Sequence, residues 1–75
     1  MTLKALREAR RLTQEAAAAR AGVRQGAISQ VERGDVANPA MTTLEAFARA
    51  YDVTVPEIID ALRETLAIRE TAAQS

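Results

Sequence analysis

Apolar residues recur along this chain at intervals of three and four, the spacing of one face of an α-helix. The stretches from Leu44 to Tyr51 and from Val55 to Leu66 show this pattern most clearly. No segment alternates with the period of two that is typical of a half-buried strand, and alanine is frequent. The pattern therefore predicts an all-α fold.

Cap and breaker residues divide the chain into five predicted helices. Thr2 and Thr13 suit N-caps, Gly22 and Gly34 suit helix ends, and Asn38-Pro39 breaks the chain before the fourth helix. Thr54 to Glu57 has the form of a capping box that opens the fifth helix. The helices are predicted over residues 3–11, 14–21, 25–33, 41–51 and from the capping box to about residue 71, with fraying over residues 72–75.

This organisation predicts one domain over residues 1–75, with a core over about 2–64 and a helical extension over about 65–72. A chain of 75 residues buries only a small core, so tight helix packing or a partner contributes much of its stability.

The residue inventory argues against an enzyme. The chain has no cysteine and no histidine, and its carboxylates do not follow a metal-binding loop pattern. No cofactor, metal or small-molecule ligand is therefore expected. No apolar run approaches the ~18 residues that span a bilayer, and the first residues lack the apolar stretch of a secretory signal. The expected location is the cytoplasm, without a membrane partner.

Charge is distributed unevenly although the net charge is zero. Residues 1–34 hold seven Lys and Arg against three Asp and Glu, a net charge of +4, and residues 35–75 hold the reverse, −4. A zero total is unusual for a nucleic-acid binder. The asymmetry between the halves nevertheless indicates a polyanionic partner for the basic half, which contains the second and third helices.

The third predicted helix has two distinct faces. On a helical wheel, one arc holds Gln25, Gly26, Ser29, Gln30 and Arg33. The opposite arc is apolar and must be buried; it holds Ala27, Ile28 and Val31. The polar arc then faces outward without long apolar side chains, and a solvated surface with no binding role is the simplest alternative interpretation.

An outward glutamine has a specific use on DNA, because its amide can donate to and accept from adenine in the major groove. Gln25 and Gln30 are the candidates for reading bases, and Gly26 and Ser29 are small enough to let the helix approach the groove. Candidates for phosphate contacts stand near the helix ends; they are Gln14, Arg24 and Arg33.

The pattern L-T-Q-E-x-x-A-x-x-A-G-V-x-x-x-x-I-S-x-x-E-R-G over Leu12–Gly34 resembles the lambda-repressor and Cro-like (Xre-type) helix-turn-helix family. N-P-x-M-x-T-L over Asn38–Leu44 and A-x-A-Y-D-V over Ala48–Val53 are also similar, without gaps in spacing, and the resemblance covers about residues 2–64. It implies a compact five-helix DNA-binding domain that binds operator DNA as a dimer, with the third helix in the major groove.

The resemblance also implies an ion pair between Arg7 and Glu32, which lie at the margins of the apolar faces of their helices. The sequence departs from the family pattern at three sites, one of which has two residues. Ala17 stands where a long aliphatic residue is usual, Arg24-Gln25 replace the usual Ser or Thr cap, and Ala40 replaces a frequent Ser. A smaller core under the second helix and a shifted first turn of the third are expected.

The fifth helix offers apolar residues for a symmetric dimer, because Leu66 and Ile68 extend beyond a compact five-helix core. The candidates for this interface are Ile59, Leu62 and Leu66.

The sequence thus predicts a transcriptional repressor that binds a palindromic operator in double-stranded DNA as a homodimer. The alternative is an antitoxin or other interaction module, whose acidic fifth helix binds a toxin and which regulates its own operon. Tyr51 is assigned to the core, with a hydroxyl able to remain at the surface.

Overall fold

Within residues 1–74, which a computed structural model describes, the chain is all-α and contains no strand. The helices are α1 (Leu3–Ala9), α2 (Gln14–Ala21), α3 (Gln25–Glu32), α4 (Met41–Tyr51) and α5 (Val55–Gln74). The predicted fold class is confirmed, and α2 and α4 have the predicted bounds. None of these helices combines the length and apolar character that a membrane span requires.

The first helix ends two residues earlier than predicted because the chain reverses after it. Thr2 caps its start by accepting from the Ala5 N–H at 3.1 Å. At its end, Arg11 adopts a left-handed conformation with φ 58°, and the Leu12 N–H donates to the Arg7 carbonyl at 3.3 Å. This reversal resembles a Schellman motif, which is usually built with glycine. Nothing in the local sequence marked Arg11 for this role.

The second helix begins and ends at the predicted cap residues. Thr13 caps α2 by accepting from Ala16 N–H at 3.0 Å, and Gly22 ends it with φ 70°. The Val23 N–H then donates to Ala18 O at 3.0 Å. Arg24 occupies the N-cap of α3 without a side-chain cap bond, as its departure from the family pattern suggests.

The core forms where α4 packs against α2 and α5. Leu44, Phe47, Ala48 and Tyr51 are all buried, as the periodicity predicts, and the Phe47 and Tyr51 rings lie 5.8 Å apart. Small residues of α2 complete this core, with Ala17 fully buried. The small side chains on α2 allow its backbone to approach α3 and α4 closely.

The fifth helix is longer than predicted. Ala72–Gln74 continue α5 where fraying was predicted, and Ser75, the last residue of that prediction, lies outside the described residues. Thr54 caps its first turn by accepting from the Glu57 N–H at 3.3 Å. Midway along it, Thr65 is buried, and its hydroxyl accepts from Leu3 N–H at 3.0 Å while donating to Ala61 O at 2.8 Å. This link joins the start of α1 to α5.

Candidate nucleic-acid interface

The third helix presents the polar arc that its sequence predicts. Ile28 and Val31 are buried, whereas Gln25, Gly26 and Gln30 are exposed. Ser29 is half-buried, and Arg24 and Arg33 are exposed at the two ends of the helix. The candidates for reading bases therefore lie on one accessible side of a rigid element, as contact with a groove requires.

A buried ion pair fixes this helix to α1. Arg7 Nε donates to Glu32 Oε2 at 2.6 Å, Arg7 Nη2 donates to Glu32 Oε1 at 3.2 Å, and Arg7 Nη1 donates to the Leu12 carbonyl at 2.7 Å. The two side chains are only 9% and 4% exposed. Hydrogen bonding to Glu32 raises the pKa of Arg7 against the opposing effect of burial. The contact of Arg7 with Glu32 sets how α3 sits on the domain.

The Glu32 carboxylate also binds Gln14, a residue of the candidate interface. The Gln14 amide Nε2 donates to Glu32 Oε1 at 3.2 Å, and Gln25 Nε2 lies 3.5 Å from Gln14 Oε1, at the limit of a hydrogen bond. Since Glu32 only accepts, it orients the Gln14 amide with its nitrogen inward and its oxygen toward Gln25. The start of α2 and the start of α3 are therefore linked through side chains.

At the other end of α3, Arg33 is held by neighbouring side chains. Its Nη1 donates to the Ser29 hydroxyl at 2.9 Å, and its Nε donates to Asp35 Oδ2 at 3.0 Å. The Arg69 guanidinium on α5 donates to the Arg33 carbonyl at 2.8 Å and also to Asp35. Hydrogen bonds from Arg69 first, and from Arg33 second, keep the pKa of Asp35 below its ordinary value.

Sequence reasoning missed the roles of Asp35 and Arg69. The short spacing of Arg33 and Asp35 was a signal for their pairing, but Arg69 lies far along the chain and reaches this site only through the path of α5. Gly34 allows the close approach, because a Cβ placed there would lie 2.9 Å from the Arg69 Cβ, and its φ is 77°.

Tyr51 lies in the core as predicted, and its hydroxyl lies inside the protein and not at the surface. The residue is 1% exposed, and its hydroxyl has no hydrogen-bond partner among the described residues. Burial raises the pKa of Tyr51 to about 12; the Glu32 charge acts in the same direction and the Arg7 charge opposes it.

Comparison with protein families agrees with this geometry. A family described as "Helix-turn-helix" matches residues 3–58, which cover α1 to the first turn of α5. The chain belongs to this lambda-repressor-like helix-turn-helix family. It is accordingly a DNA-binding regulatory domain, with α2 and α3 as the helix-turn-helix. Searches of curated proteins and of solved structures find no significant match.

The three candidates for a dimer interface lie toward the inside of this helix-turn-helix domain. Leu62 is part of the core at 6% exposure, and Ile59 and Leu66 are half-buried and packed against that core. Ile68, two residues after Leu66 on α5, is 54% exposed. Ile68 is therefore the exposed large apolar side chain of α5 among the described residues.

Proposed function

We propose that this protein is a repressor that binds a palindromic operator as a homodimer and places α3 in the major groove. The observation that supports this proposal is the exposed amide and small-residue face of α3 within a helix-turn-helix family match. Repression follows when the bound dimer occupies a promoter, and no reaction is involved.

In this proposal, Gln25 and Gln30 contact base edges, and Gly26 and Ser29 let the helix backbone approach the groove. A second set contacts phosphates and fixes the register on DNA; it consists of Gln14, Arg24 and Arg33. Gln25 stands at the accessible start of α3, so adenine in the first base step is its expected partner.

The test is selection of bound DNA from a random pool, followed by affinity measurements on the enriched sequence. A palindrome with half-site centres about one helical turn, ~34 Å, apart is expected. Gln25→Ala should reduce discrimination at one base position by about 1–3 kcal/mol, whereas Arg24→Ala should weaken binding to all sequences similarly. Arg49→Ala, an exposed arginine on α4, is the matched control. Enrichment of a sequence without a palindrome would exclude the symmetric mechanism.

The alternative function, an antitoxin, keeps the same DNA interface and differs in the partner that covers α5. The observation in its favour is the exposed Ile68, which lies beyond the family-matched residues. Co-expression with the adjacent reading frame, followed by purification of a stable complex of two different chains, would support the antitoxin over the homodimeric repressor.

A further inference from the structure

The outward side of α5 carries a shallow apolar groove beyond the family-matched residues. We define the outer α5 face as Glu64, Ala67, Ile68 and Thr71, which line this groove. Ile68 is the most exposed large apolar residue of α5, and Ala67 is small enough to permit close approach of another helix. This small neighbouring residue would let a second helix approach Ile68 closely.

Two oppositely charged residues run along one edge of this face. Arg63 and Glu70 lie two helical turns apart, so they project within about 20° of one another. Both are exposed, and neither takes part in an ion pair among residues 1–74. The edge therefore carries one unpaired positive charge and one unpaired negative charge.

We propose that the outer α5 face binds α5 of a second copy of this chain in antiparallel orientation, with Arg63 of each copy facing Glu70 of the other. Arg63 and Glu70 are equally distant along the helix from the midpoint between Leu66 and Ala67. A two-fold axis at that midpoint brings the same edges of the two helices together, because an isologous interface uses one patch twice.

The orientation follows from charge. In the antiparallel pair, two Arg63–Glu70 contacts form. In a parallel pair the two-fold axis runs along the helices and places the Arg63 and Glu70 edges of the two copies on opposite sides of the interface, where neither contact forms. Ala67 lies near the axis, where two backbones approach most closely, and Ile68 of each copy lies beside it. The second copy is therefore the occupant that the charge pattern favours.

This inference rests on the proposed homodimer and specifies its surface. It replaces Ile59, Leu62 and Leu66, which pack against the core, with residues on the opposite side of the same helix. It also gives a role to the part of α5 that extends beyond residue 58, where the family match ends.

The test uses charge reversal and sedimentation equilibrium at low ionic strength, where exposed charge pairs are least screened. R63E places glutamates at both contact points of its own dimer, and E70R places arginines there. Each variant should weaken the dimer Kd by about tenfold or more. An equimolar mixture of R63E and E70R should recover the wild-type affinity, because both contacts then form between different chains. The double variant R63E/E70R should recover it as well.

Arg49→Glu and Glu45→Arg, exposed on α4, are matched controls that should not change the dimer Kd. A mixture that associates no better than its components, or a wild-type chain that stays monomeric at low salt, would overturn the proposal. Binding to one half-site of the selected DNA separates this result from the proposed function. If α3 reads DNA, all α5 variants should bind the half-site with the wild-type affinity. If the wild-type chain does not bind the half-site, the assignment of α3 as the DNA-reading helix is contradicted, and not the dimer interface.

Discussion

Arg7 and Glu32 form a two-bond ion pair with Nε–Oε2 at 2.6 Å and Nη2–Oε1 at 3.2 Å, and the pair joins α1 to the last residue of α3. Gln14 donates to the same carboxylate at 3.2 Å. The Glu32 carboxylate therefore binds both Arg7, which holds α3 to α1, and Gln14, a candidate DNA-contacting residue. Changes at Glu32 should affect both the stability of the fold and the recognition of DNA.

Removal of Arg7 should strongly destabilise the fold. Arg7→Met leaves the Glu32 carboxylate buried without its counter-charge, and the expected loss is about 3–5 kcal/mol in the free energy of unfolding, measured by urea denaturation. Arg10→Met, an exposed arginine one turn later, is the control and should change stability little. Equal effects of the two substitutions would contradict a structural role for the ion pair.

Gln14 should act through Gln25 as well as directly. Gln14→Ala removes the amide oxygen beside Gln25 Nε2, so discrimination at the base position assigned to Gln25 should fall along with overall affinity. Since the two residues are in contact, the double variant Gln14→Ala/Gln25→Ala should lose less discrimination than the two single losses added together. Strict additivity in competition binding would indicate that the two glutamines act independently.

Asp35 should compete with the phosphate proposed to bind Arg33, because Arg33 Nε donates to Asp35 Oδ2 at 3.0 Å. Asp35→Asn should release the guanidinium, raise affinity for all DNA sequences and steepen the salt dependence by about one phosphate contact. Glu45→Gln, which also removes one exposed negative charge, controls for net charge. If the salt dependence of DNA affinity steepens equally in both variants, Asp35 acts only through net charge.

Gly34 should not tolerate a side chain. Its φ of 77° is unfavourable for other residues, and an added Cβ would meet the Arg69 Cβ at 2.9 Å. Gly34→Ala should destabilise the protein by at least about 1 kcal/mol in thermal or urea unfolding. Gly26→Ala is the control, because Gly26 lies in α3 with open space around its Cβ position. That control should be neutral or stabilising.

Tyr51 should make the protein sensitive to high pH. Its pKa is raised from 10.0 to about 12, so its contribution to stability is fully present below pH 10.0 and is lost as pH rises toward 12. Tyr51→Phe should remove this part of the alkaline loss. Near neutral pH the variant should match or exceed the wild type in stability, because the buried hydroxyl lacks a partner among the described residues. A large loss at neutral pH would instead indicate a bridging water.

Local signals predicted most of the fold because they act over a few residues. Thr13 and Gly22 delimit α2, and the spacing of Leu44, Phe47 and Tyr51 identifies the buried side of α4. Arg11 was missed because its left-handed conformation depends on contacts between Arg7 and Leu12. The contacts of α5 with α1 and with the end of α3 could not be predicted, because they join residues far apart in the chain.

The sequence by itself determined the helices, the outward amides of α3 and the uneven distribution of charge, since periodicity, caps and composition are local properties. Only the tertiary structure decided which side chains form contacts and which stay exposed. It paired Arg33 with Asp35, brought Arg69 to the end of α3 and turned Leu62 inward, which left Ile68 exposed. These outcomes depend on distances between residues far apart in the chain, and such distances are set only when the helices pack.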